Sequence, residues 1–97
     1  MPTLEEALVA YDRGIASDED RLRYGSGPLE EAIRSSPALE RNLRHAFEHG
    51  DIKQFTLNAG QHRGAGGAYN YPTQSLDLTP DAFASRGELI FMLGHET

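Results

Sequence analysis

The sequence predicts an α+β fold: helices at the front, a small antiparallel sheet of about three strands, and one buried helix at the carboxyl end. Three observations predict it. Apolar residues recur at helical spacing through the first half of the chain. The period then shifts to two, where Phe55 and Leu57 alternate with Gln54, Thr56 and Asn58. Near the end, the uninterrupted apolar run Leu89 to Leu93 follows a capping signal at Ser85 and Glu88. Helices, then strands, then a helix is the order of an α+β chain and not of an alternating α/β one. At 97 residues, one domain spanning 1–97 is the natural expectation.

Thr3 and Glu6 form a capping box at the start of the first helix, and Leu4, Leu8, Tyr11 and Ile15 give it one buried face. Gly14 is a stop signal, and Ser17 a cap for a short charged helix running to Tyr24. Gly25-Ser26-Gly27 reads as a flexible joint, with Pro28 at the first position of the next helix, whose apolar side is Leu29, Ala32 and Ile33. Ser36-Pro37 repeats the cap-and-proline signal and opens a helix to His49 that carries Leu39, Leu43, Ala46 and Phe47 on one stripe; Gly50 ends it. The glycine-rich stretch from Gly60 to Gly67 reads as a loop. Ala68 to Tyr71 and Gln74 to Leu78 read as two strands joined by a hairpin at Pro72-Thr73. Thr79-Pro80-Asp81 opens helical structure again.

The composition narrows the function classes. Nine Lys and Arg stand against fifteen Asp and Glu, a net charge of −6, with no basic stripe; nucleic acid is not an expected partner. The absence of cysteine excludes disulfides and thiolate metal ligands, leaving histidines and carboxylates for any metal. Leu89 to Leu93 is too short to cross a bilayer. The first residues have neither a basic nor an apolar signal region, so the expectation is a cytoplasmic protein, or one exported without a cleavable signal peptide.

The last helix carries the chemistry. His95-Glu96 follows directly on its apolar run, and burying such a pair is costly unless something partners it. The segment Leu89 to Glu96 resembles the start of the H-E-x-x-H helix of zinc metallopeptidases. The stretch from Ser36-Pro37 through Gly67-Ala68-Tyr69-Asn70 and Leu76-Asp77-Leu78 to Gly94-His95-Glu96 is similar to peptidase-like domains of effectors that bacteria deliver into rivals. The resemblance implies that His95 is the first zinc ligand, that Glu96 is the general base, and that a second histidine falls two positions past Thr97. It implies an incomplete zincin-like fold: the front part of a metallopeptidase-like domain, ending inside its active-site helix. It also implies that Gly67, Ala68, Tyr69, Asn70 and Tyr71 form an edge strand that pairs with the backbone of a peptide or protein substrate. Zinc would belong to the full-length parent, and this chain alone would neither hold it tightly nor act as a working peptidase.

Other signals compete. His45-Ala46-Phe47-Glu48-His49 spells the inverted H-x-x-E-H pattern, but His45 and Glu48 point away from the apolar stripe, which favours a solvated helix end with adventitious metal as the alternative. His62-Arg63 reads as solvated loop residues or as a ligand or substrate contact. Asp18-Glu19-Asp20 reads as a charged helix start and not as a calcium loop. Tyr69 and Tyr71 read as packing residues on one side of a strand. The alternative to a hydrolase fragment is a small non-catalytic binding, regulatory or protein-interaction module. In that case the apolar last helix or the Gly67 to Tyr71 edge would dock onto a partner or a second copy.

Overall fold

The structure, a computed structural model, describes residues 2–58 and 67–97. Helix α1 spans Leu4–Arg13, and both halves of its capping box are formed: Thr3 Oγ1 accepts from Glu6 N at 3.1 Å, and Glu6 Oε1 accepts from Thr3 N at 3.0 Å. Helix α2, Asp18–Tyr24, is capped by Ser17 and buries no residue. Side chains that reach its neighbours hold it in place. Arg21 donates through Nε to the carbonyl of Asp12 at 3.3 Å and through Nη2 to that of Ile15 at 2.7 Å, so α2 satisfies carbonyls at the end of α1. The hydroxyl of Tyr11 donates to the Tyr24 carbonyl at 2.5 Å.

Helix α3 spans Ser26–Arg34, and here the structure departs from the sequence expectation. Ser26 and Gly27 belong to its first turn, and only Gly25 separates it from α2. Pro28 is the third helical residue, where its missing N–H is still unneeded. The cap comes from another helix: Asp12 of α1 accepts from Ser26 N at 2.7 Å and from Ser26 Oγ at 2.6 Å. Gly25 is required by space, since a Cβ there would lie 2.2 Å from the carbonyl oxygen of Arg21.

Helix α4, Pro37–Glu48, starts on Ser36, whose Oγ accepts from Leu39 N, and buries Leu39, Leu43 and Phe47. Its Arg44 bridges Glu40 and Glu5 of α1, and the hydrogen bond from that guanidinium holds the Glu5 carboxyl below its ordinary value. The pair is solvent-exposed and adds little stability. After the cap at His49, Gly50 takes φ 74°, with Gly50 N donating to Phe47 O and Asp51 N to Ala46 O. This is a Schellman ending, and it needs the left-handed conformation that glycine adopts without cost. Gly50→Ala is expected to lower stability by about 1–2 kcal/mol, read from denaturant midpoints at unchanged slope.

Strands β1 (Gln54–Leu57), β2 (Gly67–Asn70) and β3 (Ser75–Leu78) form one sheet in the order β1-β3-β2. The sheet is mixed, not wholly antiparallel. β2 runs antiparallel to β3, with Tyr69 opposite Leu76, whereas β1 runs parallel to β3, with Phe55 opposite Leu76. β2 reverses the direction of β1 and β3 reverses it again, so placing β3 between them makes its pairing with β1 parallel. The turn between β2 and β3 puts Gln74 at φ 53°, and its side chain donates to the Gly50 carbonyl at 2.8 Å, joining the hairpin to the end of α4.

A 3-10 helix, Pro80–Ala84, leads to α5, Arg86–Glu96. Phe55, Leu76 and Leu78 on one face of the sheet join residues of α1, α3, α4 and α5 in a single apolar core. The α+β class therefore holds. Among the described residues no helix is long and apolar enough to cross a membrane.

Candidate functional site

Helix α5 starts on Ser85, whose Oγ accepts from Glu88 N at 3.0 Å, and is held on the core by Leu89, Met92 and Leu93. Its burial is one-sided, although the apolar run Leu89 to Leu93 is unbroken. Phe91 is 74% exposed, and His95, one turn further on, stacks against it with ring centroids 6.3 Å apart and planes 14° apart. The helix buries one stripe, and Phe91 and His95 lie on the outer face.

Neighbouring residues on a helix point about 100° apart, so His95 and Glu96 face different ways. Glu96 continues the stripe of Met92 and Leu93 and is half-buried. Its carboxylate accepts a hydrogen bond from the backbone N–H of Tyr69 at 3.1 Å. A backbone N–H has one hydrogen, so that of Tyr69 is directed away from β3, at the outer edge of the sheet formed by the described residues. The structure thus joins two features 27 residues apart in the chain: the glutamate of the H-E pair and the middle of the strand assigned to substrate.

Gly67 makes this approach possible. A Cβ at Gly67 would lie 2.7 Å from Asp77 O, 2.9 Å from Met92 Sδ and 3.2 Å from Met92 Cε. The absence of a side chain lets the start of β2 lie directly on α5. Of the other residues assigned to that strand, Ala68 is exposed, and Tyr69 is half-buried with its hydroxyl donating to Asp51 O at 2.7 Å. Asn70 ends the strand, and its side chain turns to Asp77. Tyr71 lies outside β2, in the turn, 81% exposed and edge-on to Tyr69 with centroids 6.5 Å apart. The assigned strand is therefore one residue too long. Proline at 72 cannot donate to a ladder, and the chain turns before it.

A polar cluster on the other face of the sheet escaped the sequence reading. Asp77 Oδ1 accepts from Thr56 Oγ1 of β1 and from Ser75 Oγ of β3, both at 2.6 Å, and Asp77 Oδ2 accepts from Asn70 Nδ2 of β2 at 3.3 Å. One carboxylate ties all three strands together. The alternation of Ser75 and Asp77 with Leu76 and Leu78 signals a polar face, but the partners from other strands depend on register.

His45 and His49 lie side by side at the exposed end of α4, with ring centroids 4.1 Å apart. Asp18, Glu19 and Asp20 occupy the first turn of α2, where Asp20 N donates to Ser17 Oγ and Asp18 pairs with Arg21. His62 and Arg63 lie outside the described residues. Among the described residues no group of three or more His, Cys, Asp or Glu is placed to hold a metal ion. A catalytic zinc takes three protein ligands, so the described donors do not by themselves fit one. No protein-family model, no curated protein and no solved structure matches this chain.

Proposed function

We propose that the chain is the front part of a zinc-dependent peptidase-like hydrolase domain of bacterial effector type. It contributes the substrate-side strand and the first half of the metal helix, and it is catalytically incomplete in itself. The observation that supports this most is the hydrogen bond from Tyr69 N to Glu96. It brings the carboxylate proposed to activate water to the outward edge of the strand proposed to hold a peptide. His95 would be the first metal ligand; its imidazole is exposed on the outer face of α5, beside the ring of Phe91. Glu96 would take a proton from the attacking water, and the peptide backbone would extend along β2 by main-chain hydrogen bonding.

The test is the coding sequence immediately after Thr97, followed by metal analysis of the extended product. A histidine at the second position past Thr97, with zinc bound one to one and lost on replacing His95, is the expected result. Any other residue at that position overturns the reading.

A second reading has its own support. Phe91, Leu22, Tyr71 and Val9 are large apolar side chains exposed to solvent, and β2 is an edge strand. These are features of a non-catalytic interaction module. Concentration-dependent mass in light scattering, abolished by Phe91→Ser, would favour it over the hydrolase fragment.

A further inference from the structure

We propose that Glu96 is a latch on the β2 edge of the sheet: its carboxylate occupies the outward N–H of Tyr69, and no strand can be added there until it leaves. The latch depends on the edge alone and operates whether or not α5 binds a metal.

Among the described residues β2 is an outer strand of the sheet, so the groups it directs away from β3 have no strand partner there. The N–H of Tyr69 is one of these, and Glu96 already accepts it at 3.1 Å. An incoming carbonyl needs the same hydrogen. Glu96 and an added strand therefore compete for one donor, and the charged acceptor makes the stronger hydrogen bond.

Both partners belong to elements packed on the core. Glu96 is carried by a helix whose Met92 and Leu93 are buried in the core, and β2 lies against that helix at Gly67. Tyr69 is anchored from its other end through its hydroxyl to Asp51 O. The carboxylate thus reaches the edge from the last turn of a helix packed on the core and not from a loop. A charge at an unpaired edge is a recognised defence against unwanted pairing. Here it also sets a condition for wanted pairing, because a peptide that docks on β2 must displace Glu96 and thereby frees that side chain.

The experiment compares wild type, Glu96→Ala and Glu96→Gln by amide-resolved NMR. Hydrogen exchange at Tyr69 should accelerate at least tenfold in Glu96→Ala and less in Glu96→Gln, whose neutral carbonyl still accepts. The amides of Leu76 and Leu78 report whether the sheet stays folded. The probe for strand addition is the blocked peptide Ac-Thr-Val-Thr-Val-NH2, titrated while the Tyr69 amide is followed. Binding at least fivefold tighter to Glu96→Ala than to wild type, with Glu96→Gln between them, is the expected result. Unchanged exchange at Tyr69, equal affinity for the three proteins, or no response of the Tyr69 amide in any of them would overturn the latch. Should the sheet amides lose protection in Glu96→Ala, the comparison of wild type with Glu96→Gln decides on the same two readouts.

Discussion

Gly67→Ala is expected to destabilise the protein by about 2–3 kcal/mol and to loosen β2 from α5, out of proportion to the single methyl group it adds. The new Cβ would stand 2.7 Å from Asp77 O and 2.9 Å from Met92 Sδ, both well inside van der Waals contact. Met92 is a flexible side chain and can move aside. The Asp77 carbonyl belongs to the central strand, and it can retreat only if β3 moves with it. The cheaper response is for β2 to tilt off the helix, and that lengthens the contact between Tyr69 N and Glu96 as well. Two measurements separate these effects. Denaturant unfolding gives the stability change, and exchange of the Tyr69 amide gives the local opening. Gly67→Ala with both unchanged would mean that β2 does not lie on α5 as described. Met92→Ala combined with Gly67→Ala should restore the Tyr69 protection only in part, because removing the sulfur leaves the Asp77 carbonyl in place. The glycine, and not the H-E pair, sets how near the edge strand comes to the carboxylate.

The helices were legible because their signals are local. Thr3 with Glu6, Ser36 with Pro37, and Gly50 act on backbone groups within a few residues, and each does in the structure what its chemistry implies. The start of α3 was misread because its cap, Asp12, comes from a different helix 14 residues earlier, and no local pattern encodes that. The α+β class followed from the change of period at residue 54, but period two is the same in parallel and antiparallel strands. The parallel pairing of β1 with β3 was therefore out of reach of the pattern. The exposure of Phe91 was hidden for a related reason, since an unbroken apolar run carries no phase to tell an inner face from an outer one. At the site, His95 and Glu96 stood out as a polar pair after that run. Which of the two meets β2 is settled by helix geometry, and the partner of Glu96 is a backbone N–H that has no sequence signature at all.

Stability should fall as pH rises above about 10, with Tyr11 as one cause. Tyr11 is 3% exposed, packs edge-on against Phe55 with centroids 6.3 Å apart, and donates its hydroxyl to Tyr24 O. Burial first, and the charge of Asp12 second, push its phenol well above the ordinary value of 10.0. The sign follows from proton counting. Above pH 10 the unfolded chain releases this proton while the folded chain keeps it, so the unfolded state binds fewer protons and stability falls as pH rises. The slope is about 1.4 kcal/mol per pH unit until the folded phenol itself ionises, and below pH 10 Tyr11 contributes no slope. Tyr11→Phe removes the titrating group along with its hydrogen bond to Tyr24 O, a loss of about 1 kcal/mol at neutral pH. The variant should therefore be less stable than wild type at pH 8, equal to it about one pH unit above 10, and more stable beyond that point. Urea unfolding of both proteins across pH 8 to about 11.5 measures the crossing, and the difference between the two curves cancels the other tyrosines, lysines and arginines that titrate in the same range. Two curves that stay parallel through this window would mean that Tyr11 ionises as easily folded as unfolded. The buried link between α1 and the end of α2 would then have to be abandoned.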